Sequence, residues 1–325
     1  MTVLITLIGG PTALIEIDGF RLLTDPTFDA PGAYQLPHVK LEKLTGPALE
    51  PEAIGDVDAV LLSHDQHSDN LDHSGKDFLA KAKRVLTTEA GAKRLGGHAE
   101  GFAPWASTEL TKDGRALKIT ATPARHGPAG IEPLSGDVIG FVVSPSDGIP
   151  IYVSGDTTWF DSVAEVARRF RCGVVLPFAG AAQTRGPFHL TVDTNDTIET
   201  ARAFPDAVIV PVHTDGWAHF RQSAQDLRAS FDTLGFGSRL KLLEPGVATV
   251  VEPPRRARSC RWDVASTQPP HRRGWIRSTV CRSGYWRTTR PASAGSTERR
   301  QWPQRWRHPR RCGPPRGLRR ASMCR

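Results

Sequence analysis

Four short apolar runs end directly in side chains that can bind metal ions, and this recurrence constrains the fold more than any other feature. The run VDAVLLS leads into His64, His67 and Asp69, and the later runs lead into His126, Asp156 and His213. Loops anchored on rigid strands are where side chains can be held at converging positions. We therefore expect these residues to meet at one edge of a sheet.

The order of the strand-like and helix-like segments predicts the architecture. The N-terminal segment TVLITLIGGPTALIEIDGFRLLTDP contains three β-rich runs, with a two-residue hairpin signal at Asp18-Gly19. Later strands alternate with helical patterns such as FDSVAEVARRF, VDTNDTIETARAF and FRQSAQDLRASFDTL. This order favours an α/β fold of two sheets packed face to face with helices outside. We expect the last run, GVATVVEP, to close the second sheet.

The chemistry of the strand ends is that of a metal site. Imidazoles and carboxylates together suit Zn, Fe or Mn, and the shortage of thiolates argues against a structural zinc site. A single histidine at a strand end is usually an ordinary hydrogen-bonded residue. Only the ordered recurrence of a His-rich loop, a His, a Gly-Asp and a His favours a metal centre.

These motifs resemble the metallo-β-lactamase superfamily. The segments SHDQHSDNLD, PARHGP, SGDTTW and PVHTDGW follow the leader IGGPTALIEIDGFRLLTDPTF, and the resemblance covers about residues 2–252. Within the superfamily, the leader is similar to that of the ascorbate-6-phosphate lactonase-like hydrolases and the N-acyl-phosphatidylethanolamine phospholipase D-like enzymes. The resemblance implies an αββα sandwich with one or two divalent metal ions at one edge, where a metal-bound hydroxide attacks an ester, lactone, amide or phosphodiester. Of these, we favour a lactone, an ester or a similar small substrate.

The resemblance also implies a ligand set. His64, His67 and His126 would hold one ion, while Asp69, Asp156 and His213 would hold a second, with Asp156 as the bridging aspartate. Zn is the expected metal, with Mn or Fe as alternatives. Asp69 could also orient the nucleophile or accept a proton from it.

The sequence departs from the family motif His-x-His-x-Asp-His at two positions. One residue, Asp65 or Gln66, is an insertion in the loop, so the first ligand is either His64, which we favour, or Asp65. Asn70 stands where the family has its last histidine. An amide oxygen is a hard, neutral and weak ligand, so we expect a weaker second metal with a tilt towards harder ions such as Mn or Mg.

Several further residues have two interpretations each. His189 precedes a helix that Asp193 or Thr191 caps, and it is either a catalytic residue near the substrate, as in the similar branches, or a surface histidine. Asp25 is either a support for the metal ligands or a turn residue. Asp65 and Asp72 could be hydrogen-bond partners of ligand imidazoles. Trp217 and His219 are candidates for lining a substrate pocket.

The charge of the chain divides at about residue 253. The formal net charge is +8, yet residues 254–325 contain 20 arginines, no lysine and two acidic residues, so residues 1–253 are acidic. We predict a metallo-β-lactamase-like domain over 1–253 and a disordered tail over 254–325. The favoured interpretation of the tail is a frame-shifted extension. Plain disorder and an arginine-rich and tryptophan-rich nucleic-acid arm are the alternatives.

These observations lead to a functional prediction. The short apolar N-terminus reads as a strand and not as a signal peptide, no window suggests a membrane span, and Cys172 is the one cysteine before the tail. We expect a cytoplasmic metal-dependent hydrolase with a small-molecule substrate and an undetermined oligomeric state. The alternatives are a phosphodiesterase or nuclease of the same fold and a non-catalytic, metal-poor binding module. Nucleic acid is an expected partner only if the basic tail is genuine.

Overall fold

The computed structural model describes residues 2–36 and 39–252 of the chain. The described residues belong to one compact unit. The predictions for the tail at 254–325 lie outside the described residues. The domain boundary after residue 253 therefore stays a prediction.

The described part of the chain contains fifteen strands, seven α-helices and two short 3-10 turns. The strands are β1 (Val3–Gly9), β2 (Thr12–Ile17), β3 (Phe20–Thr24), β4 (Gly32–Gln35), β5 (Lys40–Lys43), β6 (Ala59–Leu61), β7 (Val85–Thr88), β8 (Ala99–Phe102), β9 (Ser107–Lys112), β10 (Arg115–Pro123), β11 (Ile139–Pro145), β12 (Ile151–Val153), β13 (Val174–Leu176), β14 (Val208–Ile209) and β15 (Thr249–Val251). The helices are α1 (Pro51–Ile54), α2 (His73–Phe78), α3 (Glu89–Leu95), α4 (Glu132–Ser135), α5 (Asp161–Arg169), α6 (Thr194–Ala203) and α7 (Ala224–Thr233).

The strands form two large sheets and one small hairpin. The first sheet has the order β15-β1-β2-β3-β6-β7-β8, and the second has the order β14-β13-β12-β11-β10-β9. In each sheet an antiparallel meander gives way to parallel strands, since β6 pairs parallel with β3 and β13 pairs parallel with β12. Strands β4 and β5 form the separate hairpin.

Apolar side chains fill three layers between the elements. Alternate residues of one strand point to opposite faces, so Ala59 and Leu61 of β6 enter the core between the sheets while Val60 packs towards α1 and α2. On the other side, Tyr152 and Val175 pack against α5, α6 and α7. The chain is therefore layered as helices, sheet, sheet and helices. The fold class predicted from the sequence is confirmed.

Local sequence signals account for the β2–β3 hairpin and for the start of α6. The β2–β3 hairpin turns at Asp18 and Gly19, which have φ of 52° and 85°, as the two-residue signal predicts. Helix α6 begins after Asp193, whose carboxylate accepts a hydrogen bond from the Asp196 N–H at 2.9 Å. The Asp193 cap fixes where the loop that contains His189 ends and α6 begins.

The position predicted for the last strand is wrong. β15 pairs antiparallel with β1, with Val3 opposite Val251, and so it closes the first sheet and not the second. The second sheet instead ends at β14, which has only two residues. Sequence order did not determine this pairing, because the chain returns to β1 from the far end of the domain.

Among residues 2–36 and 39–252, no helix is both long enough and apolar enough to cross a membrane.

Candidate metal centre

The six strand-end residues lie together at one edge of the two sheets. His64, His67 and Asp69 lie between β6 and α2, whereas the other three follow three different strands of the second sheet. Gly155 has φ of 61°, and a Cβ there would lie 2.6 Å from the Ile139 carbonyl oxygen, so only glycine allows this turn before Asp156. His213 itself has a positive φ of 57°, which is rare for a residue with a side chain.

The first cluster, which we call the histidine group, consists of His64, His67 and His126. His67 Nδ1 lies 2.8 Å from His64 Nε2 and 3.1 Å from His126 Nε2, so three ring nitrogens converge on one point. The second nitrogen of two rings is held by the protein: His64 Nδ1 contacts Ser63 Oγ at 2.9 Å, and His126 Nδ1 donates to the Leu190 carbonyl at 2.8 Å. Such contacts fix the orientation of an imidazole ligand.

The second cluster, which we call the carboxylate group, consists of Asp69, Asp156 and His213, all of them buried. His213 Nε2 lies 3.6 Å from Asp69 Oδ2 and 3.6 Å from Asp156 Oδ1. These separations are too long for hydrogen bonds but suit atoms that share a cation.

Asp156 connects the two groups. Its Oδ1 faces His213, while its Oδ2 lies 3.5 Å from His126 Nε2 and 3.9 Å from His64 Nε2. The carboxylate thus presents one oxygen to each group. A bridging carboxylate requires this arrangement.

Burial keeps the histidine group neutral. It lowers the pKa of His64 well below the ordinary value and lowers the pKa of His67 and of His126 to about 4. Neighbouring imidazoles act in the same direction on His64 and His67, and the Arg185 guanidinium adds a smaller effect at His67. Neutral rings carry a free lone pair, as a metal ligand must.

The two carboxylates of the carboxylate group differ. Burial and the charge of Asp69 raise the pKa of Asp156 to about 6. Burial also acts to raise the pKa of Asp69, but the imidazoles of His213 and His219 outweigh it and hold that pKa well below its usual range. Asp69 therefore ionises readily, whereas ionisation of the nearby Asp156 is disfavoured. A cation between the two carboxylates would stabilise both negative charges.

The polar atoms left over after this accounting fit a divalent cation. Both oxygens of Asp156 and both ring nitrogens of His213 are buried without a hydrogen-bond partner among the described residues. An unpaired buried polar atom costs about 1–3 kcal/mol, so the two Asp156 oxygens and His213 Nε2, which lie close together, carry a large penalty unless a ligand binds there. The donor set, imidazole with carboxylate, is one that Zn, Fe and Mn accept.

The structure brings His64, and not Asp65, together with His67 and His126. Asp65 turns away and pairs with Arg94, through Oδ2 to Nε at 2.8 Å. Asp72 is also no partner of an imidazole: it accepts hydrogen bonds from Phe28 N, Asp29 N and Gly75 N and pairs with the buried Lys43 at 2.8 Å. The suggested pairing of Asp65 and Asp72 with ligand imidazoles is therefore wrong, because each has a cation closer at hand.

Two buried residues stand directly behind the ligands. Asp25, with φ of 23°, accepts a hydrogen bond from the Ser63 N–H at 2.6 Å and so fixes the backbone just before His64. Asn70 is fully buried, and its amide atoms find no hydrogen-bond partner in the described part of the chain. Asn70 thus lies within the loop of the ligands, where the family motif has a histidine.

His219 has a contact that the sequence did not indicate. It was a candidate for lining a pocket, and it does line the cavity described below, but its Nε2 also lies 2.9 Å from Asp69 Oδ2. Trp217 is buried against Tyr34 and Lys43 instead. His213 and His219 both lie in the loop between β14 and α7, where no strand or helix period applies, so the sequence offered only their proximity as a signal.

His189 lies beside the histidine group without touching it. Its Nδ1 contacts the Gln183 amide nitrogen at 3.2 Å, and its Nε2 lies 3.4 Å from Asp193 Oδ2. The next residue, Leu190, supplies the carbonyl that holds His126. A catalytic role for the His189 ring therefore stays a prediction.

A cavity of about 440 Å³ opens onto both groups. Its floor contains His67, Asp69, His126 and His219. Its walls are mainly aliphatic, with a few charged side chains, and comprise Leu36, Val39, Leu41, Gln66, Arg94, Pro133, Leu134, Ser135, Gly136, Asp137, Ala182, Thr184, Arg185 and Leu190. A concave, largely apolar space above converging polar groups is the usual form of a small-molecule site.

Comparison with known proteins agrees with this geometry. Residues 20–214 match the family model described as a beta-lactamase superfamily domain. Among curated proteins, the UPF0173 protein YddR of Bacillus subtilis is 29% identical over 252 residues, which cover 74% of this chain and 97% of that protein. The UPF0173 metal-dependent hydrolase MK1542 of Methanopyrus kandleri is 26% identical over 251 residues and covers the same shares.

A solved structure shares the fold. The isothiocyanate hydrolase from Delia radicum gut bacteria superposes with a TM-score of 0.67 at 23% sequence identity, over 76% of this chain and 98% of that one. At this identity the likeness extends to the fold alone.

Proposed function

Because the chain belongs to the beta-lactamase superfamily domain family, we propose that the histidine group and the carboxylate group form the metal centre of a hydrolase that acts on a small lactone, ester or similar compound. Metal-dependent hydrolase is the class in which its relatives are named. The names of the relatives support metal-dependent hydrolysis as the reaction type. The choice of a lactone or ester as the substrate is our proposal.

One observation carries the proposal, namely the position of Asp156 between the two groups. A single buried carboxylate directs Oδ2 to the histidine group and Oδ1 to His213. A purely structural carboxylate at this depth would be hydrogen-bonded, whereas both oxygens of Asp156 have no such partner in the described ranges.

The two groups would hold ions of different character. Three imidazoles suit Zn, whereas two carboxylates and one imidazole also accept Mn or Fe. We propose that Asn70 makes the carboxylate group the weaker of the two. Bound ions would supply Lewis-acid chemistry, which polarises a carbonyl oxygen and lowers the pKa of water to about 7.

The residues around the groups have assignable roles. Asp69 lines the cavity floor, and its low pKa keeps it ionised, so it can accept a proton or orient a nucleophilic water. His219 holds Asp69 Oδ2 at 2.9 Å and thereby fixes the orientation of this carboxylate. His189 is proposed to assist proton transfer from the next loop.

The size of the cavity supports a small substrate. About 440 Å³ lies within the range of ligand pockets of 300–1,000 Å³ and is too little for a nucleic-acid duplex. The narrower placement beside lactonase-like and phospholipase D-like enzymes rests on the Leu-Thr-Asp-Pro leader and is also a proposal.

A substrate screen with the full chain tests the function. The purified protein, stripped of metal and reloaded with Zn, Mn or Fe in turn, is offered 4-nitrophenyl butyrate, γ-butyrolactone, an aryl isothiocyanate and bis(4-nitrophenyl) phosphate. We expect turnover of an ester or lactone that disappears in the double-ligand variant Asp69→Ala/Asp156→Ala. Turnover of the phosphodiester alone would favour the phosphodiesterase alternative. Metal binding without turnover of any compound would favour a binding module.

A further inference from the structure

One wall of the cavity is a short segment that carries an exposed leucine. This wall segment, residues 131–137, contains α4 and contributes Pro133, Leu134 and Gly136 to the lining. Leu134 is 60% exposed although it faces the cavity above His67 and His126. An aliphatic side chain left in water at the mouth of a cavity is a surface that a ligand can cover.

Gln66 ties the wall segment to the loop of the ligands. Its amide nitrogen donates to the Ser135 carbonyl at 3.2 Å and to the Asp137 carbonyl at 3.2 Å. Its amide oxygen accepts from Arg94 Nη2 at 3.0 Å, and Arg94 is in turn paired with Asp65. Gln66, one of the two residues that could be the insertion in this loop, therefore holds the wall in place beside His67.

The close approach depends on glycine at position 136. Gly136 has φ of 77°, and a Cβ built there would collide with the Gln66 amide nitrogen. On its other side the wall segment packs through Ile131 against Leu190 and Ala182, the loop whose carbonyl orients His126. One end of the wall is thus anchored to the loop that carries His64 and His67, and the other to the loop whose Leu190 carbonyl holds His126.

We propose that the wall segment is the specificity wall of the substrate site, that Leu134 contacts an apolar alkyl or aryl body of the substrate, and that Gln66 is the positioning residue that holds this wall. The inference rests on the proposed function, since it names the class of compound for the same site. The aliphatic side chains opposite, Leu36, Val39 and Leu41, complete the apolar surround.

The cavity offers the substrate tail two kinds of contact, a charged one at Arg185 and an apolar one at Leu134. Arg94 forms an ion pair with Asp65, so its positive charge is already neutralised. Arg185 makes no ion pair or hydrogen bond within residues 2–36 and 39–252 and is the remaining cation on the wall. An anionic tail on the substrate would seek Arg185, whereas an apolar tail would cover Leu134. The two classes therefore give opposite results in one series of compounds.

The experiment compares 4-nitrophenyl acetate with 4-nitrophenyl hexanoate on the zinc-loaded full chain. Burial of a methylene is worth about 0.8 kcal/mol, so kcat/KM should rise about fourfold for each methylene that reaches the wall. Leu134→Ser should reduce the hexanoate-to-acetate ratio about fivefold to tenfold. Leu234→Ser, at a leucine that is also exposed but lies at the end of α7, is the matched control and should leave the ratio unchanged.

Gln66 is tested by two substitutions. Gln66→Ala removes the contacts with both carbonyls and with Arg94, whereas Gln66→Glu keeps an acceptor for Arg94 but cannot donate to the wall. Both should raise KM for the hexanoate ester more than they lower kcat and should leave metal content unchanged. A normal ratio in Gln66→Glu together with a reduced ratio in Gln66→Ala would overturn the role assigned to its amide nitrogen.

A binding measurement separates this inference from the proposed function. Calorimetry with hexanamide and acetamide needs no turnover, and wild type should prefer hexanamide while Leu134→Ser should not. If no ester is hydrolysed but this preference holds, the proposed hydrolysis fails and the apolar site stands. A flat amide series, or faster turnover of mono(4-nitrophenyl) adipate than of the hexanoate ester, would overturn the apolar class, and the latter result would assign the substrate tail to Arg185.

Discussion

The histidine group and the carboxylate group face the same cavity, but the protein prepares them differently. In the histidine group, Ser63 and Leu190 hold two of the rings by their outer nitrogens. In the carboxylate group, only Asp69 has such a partner, His219, while Asp156 and His213 have none among the described residues. The first group is therefore organised by the protein, and the second would be organised by the ion that binds there.

This difference gives the two groups an expected order of filling. Pre-oriented neutral imidazoles lose little freedom on binding, so the histidine group should fill first. The carboxylate group also has Asn70 in place of an imidazole, and its two acids repel each other until a cation arrives. The expected result is one tightly held ion and one weaker ion.

Removal of a histidine ligand should have the largest effect. His126→Ala deletes one of three converging nitrogens, and we expect loss of both ions and of all hydrolysis, because the second group would have to fill alone. The loss of affinity should exceed the roughly 10–100-fold that follows the loss of a supporting hydrogen bond. Elemental analysis after gel filtration measures how many equivalents of metal each chain retains. His73→Ala, at an exposed imidazole, is the control, and a full metal complement in His126→Ala would contradict the order of filling.

Removal of Asp69 should weaken metal binding at the carboxylate group and leave metal binding at the histidine group intact. Asp69→Ala should abolish hydrolysis yet keep about one equivalent of metal, since the histidine group keeps all its ligands. The matched control is Asp65→Ala, a carboxylate in the same loop that pairs with Arg94, and its effect should be milder. Loss of all metal in Asp69→Ala, or of metal in Asp65→Ala alone, would show that the ligands are assigned wrongly.

Substitution of His189 tests whether its ring takes part in proton transfer beside the histidine group. His189→Ala should lower turnover about a hundredfold, the size expected for a lost acid or base, with unchanged metal content. The Leu190 carbonyl that holds His126 is backbone and should survive the change. Steady-state kinetics beside elemental analysis would decide, and a rate equal to that of wild type would make His189 a surface histidine.

The smallest effect is expected at His219. Among the described residues, His219 supplies the one outer contact of the carboxylate group. His219→Ala removes it, so the second equivalent should bind about 10–100-fold more weakly while the first is unaffected. Competition with a fluorescent zinc chelator measures both affinities. Equal weakening of the first and second equivalents would contradict the separation of the two groups.

The sequence could predict the groups because strand ends are encoded locally. An apolar β-run buried on both faces is visible as a pattern, and the side chain that follows it must lie at the sheet edge, as Asp156 does after β12. Helix α6 was equally visible, since Asp193 is a capping residue before a helical pattern.

The rest depended on contacts that no local pattern encodes. The pairing of His219 with Asp69 joins residues 150 positions apart, and the support of His126 comes from a backbone carbonyl that has no side-chain signature. The strand β15 was assigned to the wrong sheet because its partner β1 is at the opposite end of the domain. Either Asp65 or Gln66 looks like an insertion, and the sequence indicates no role for Gln66 because its partners lie in a loop some seventy residues away.

Anomalous diffraction at the zinc edge from crystals of the full chain, grown with limiting zinc, tests the central claim most directly. We expect two peaks about 3.5–4 Å apart. The stronger should lie among His64, His67 and His126, and the weaker among Asp69, Asp156 and His213. Peaks absent from both groups, or a full peak in the carboxylate group beside an empty histidine group, would contradict it.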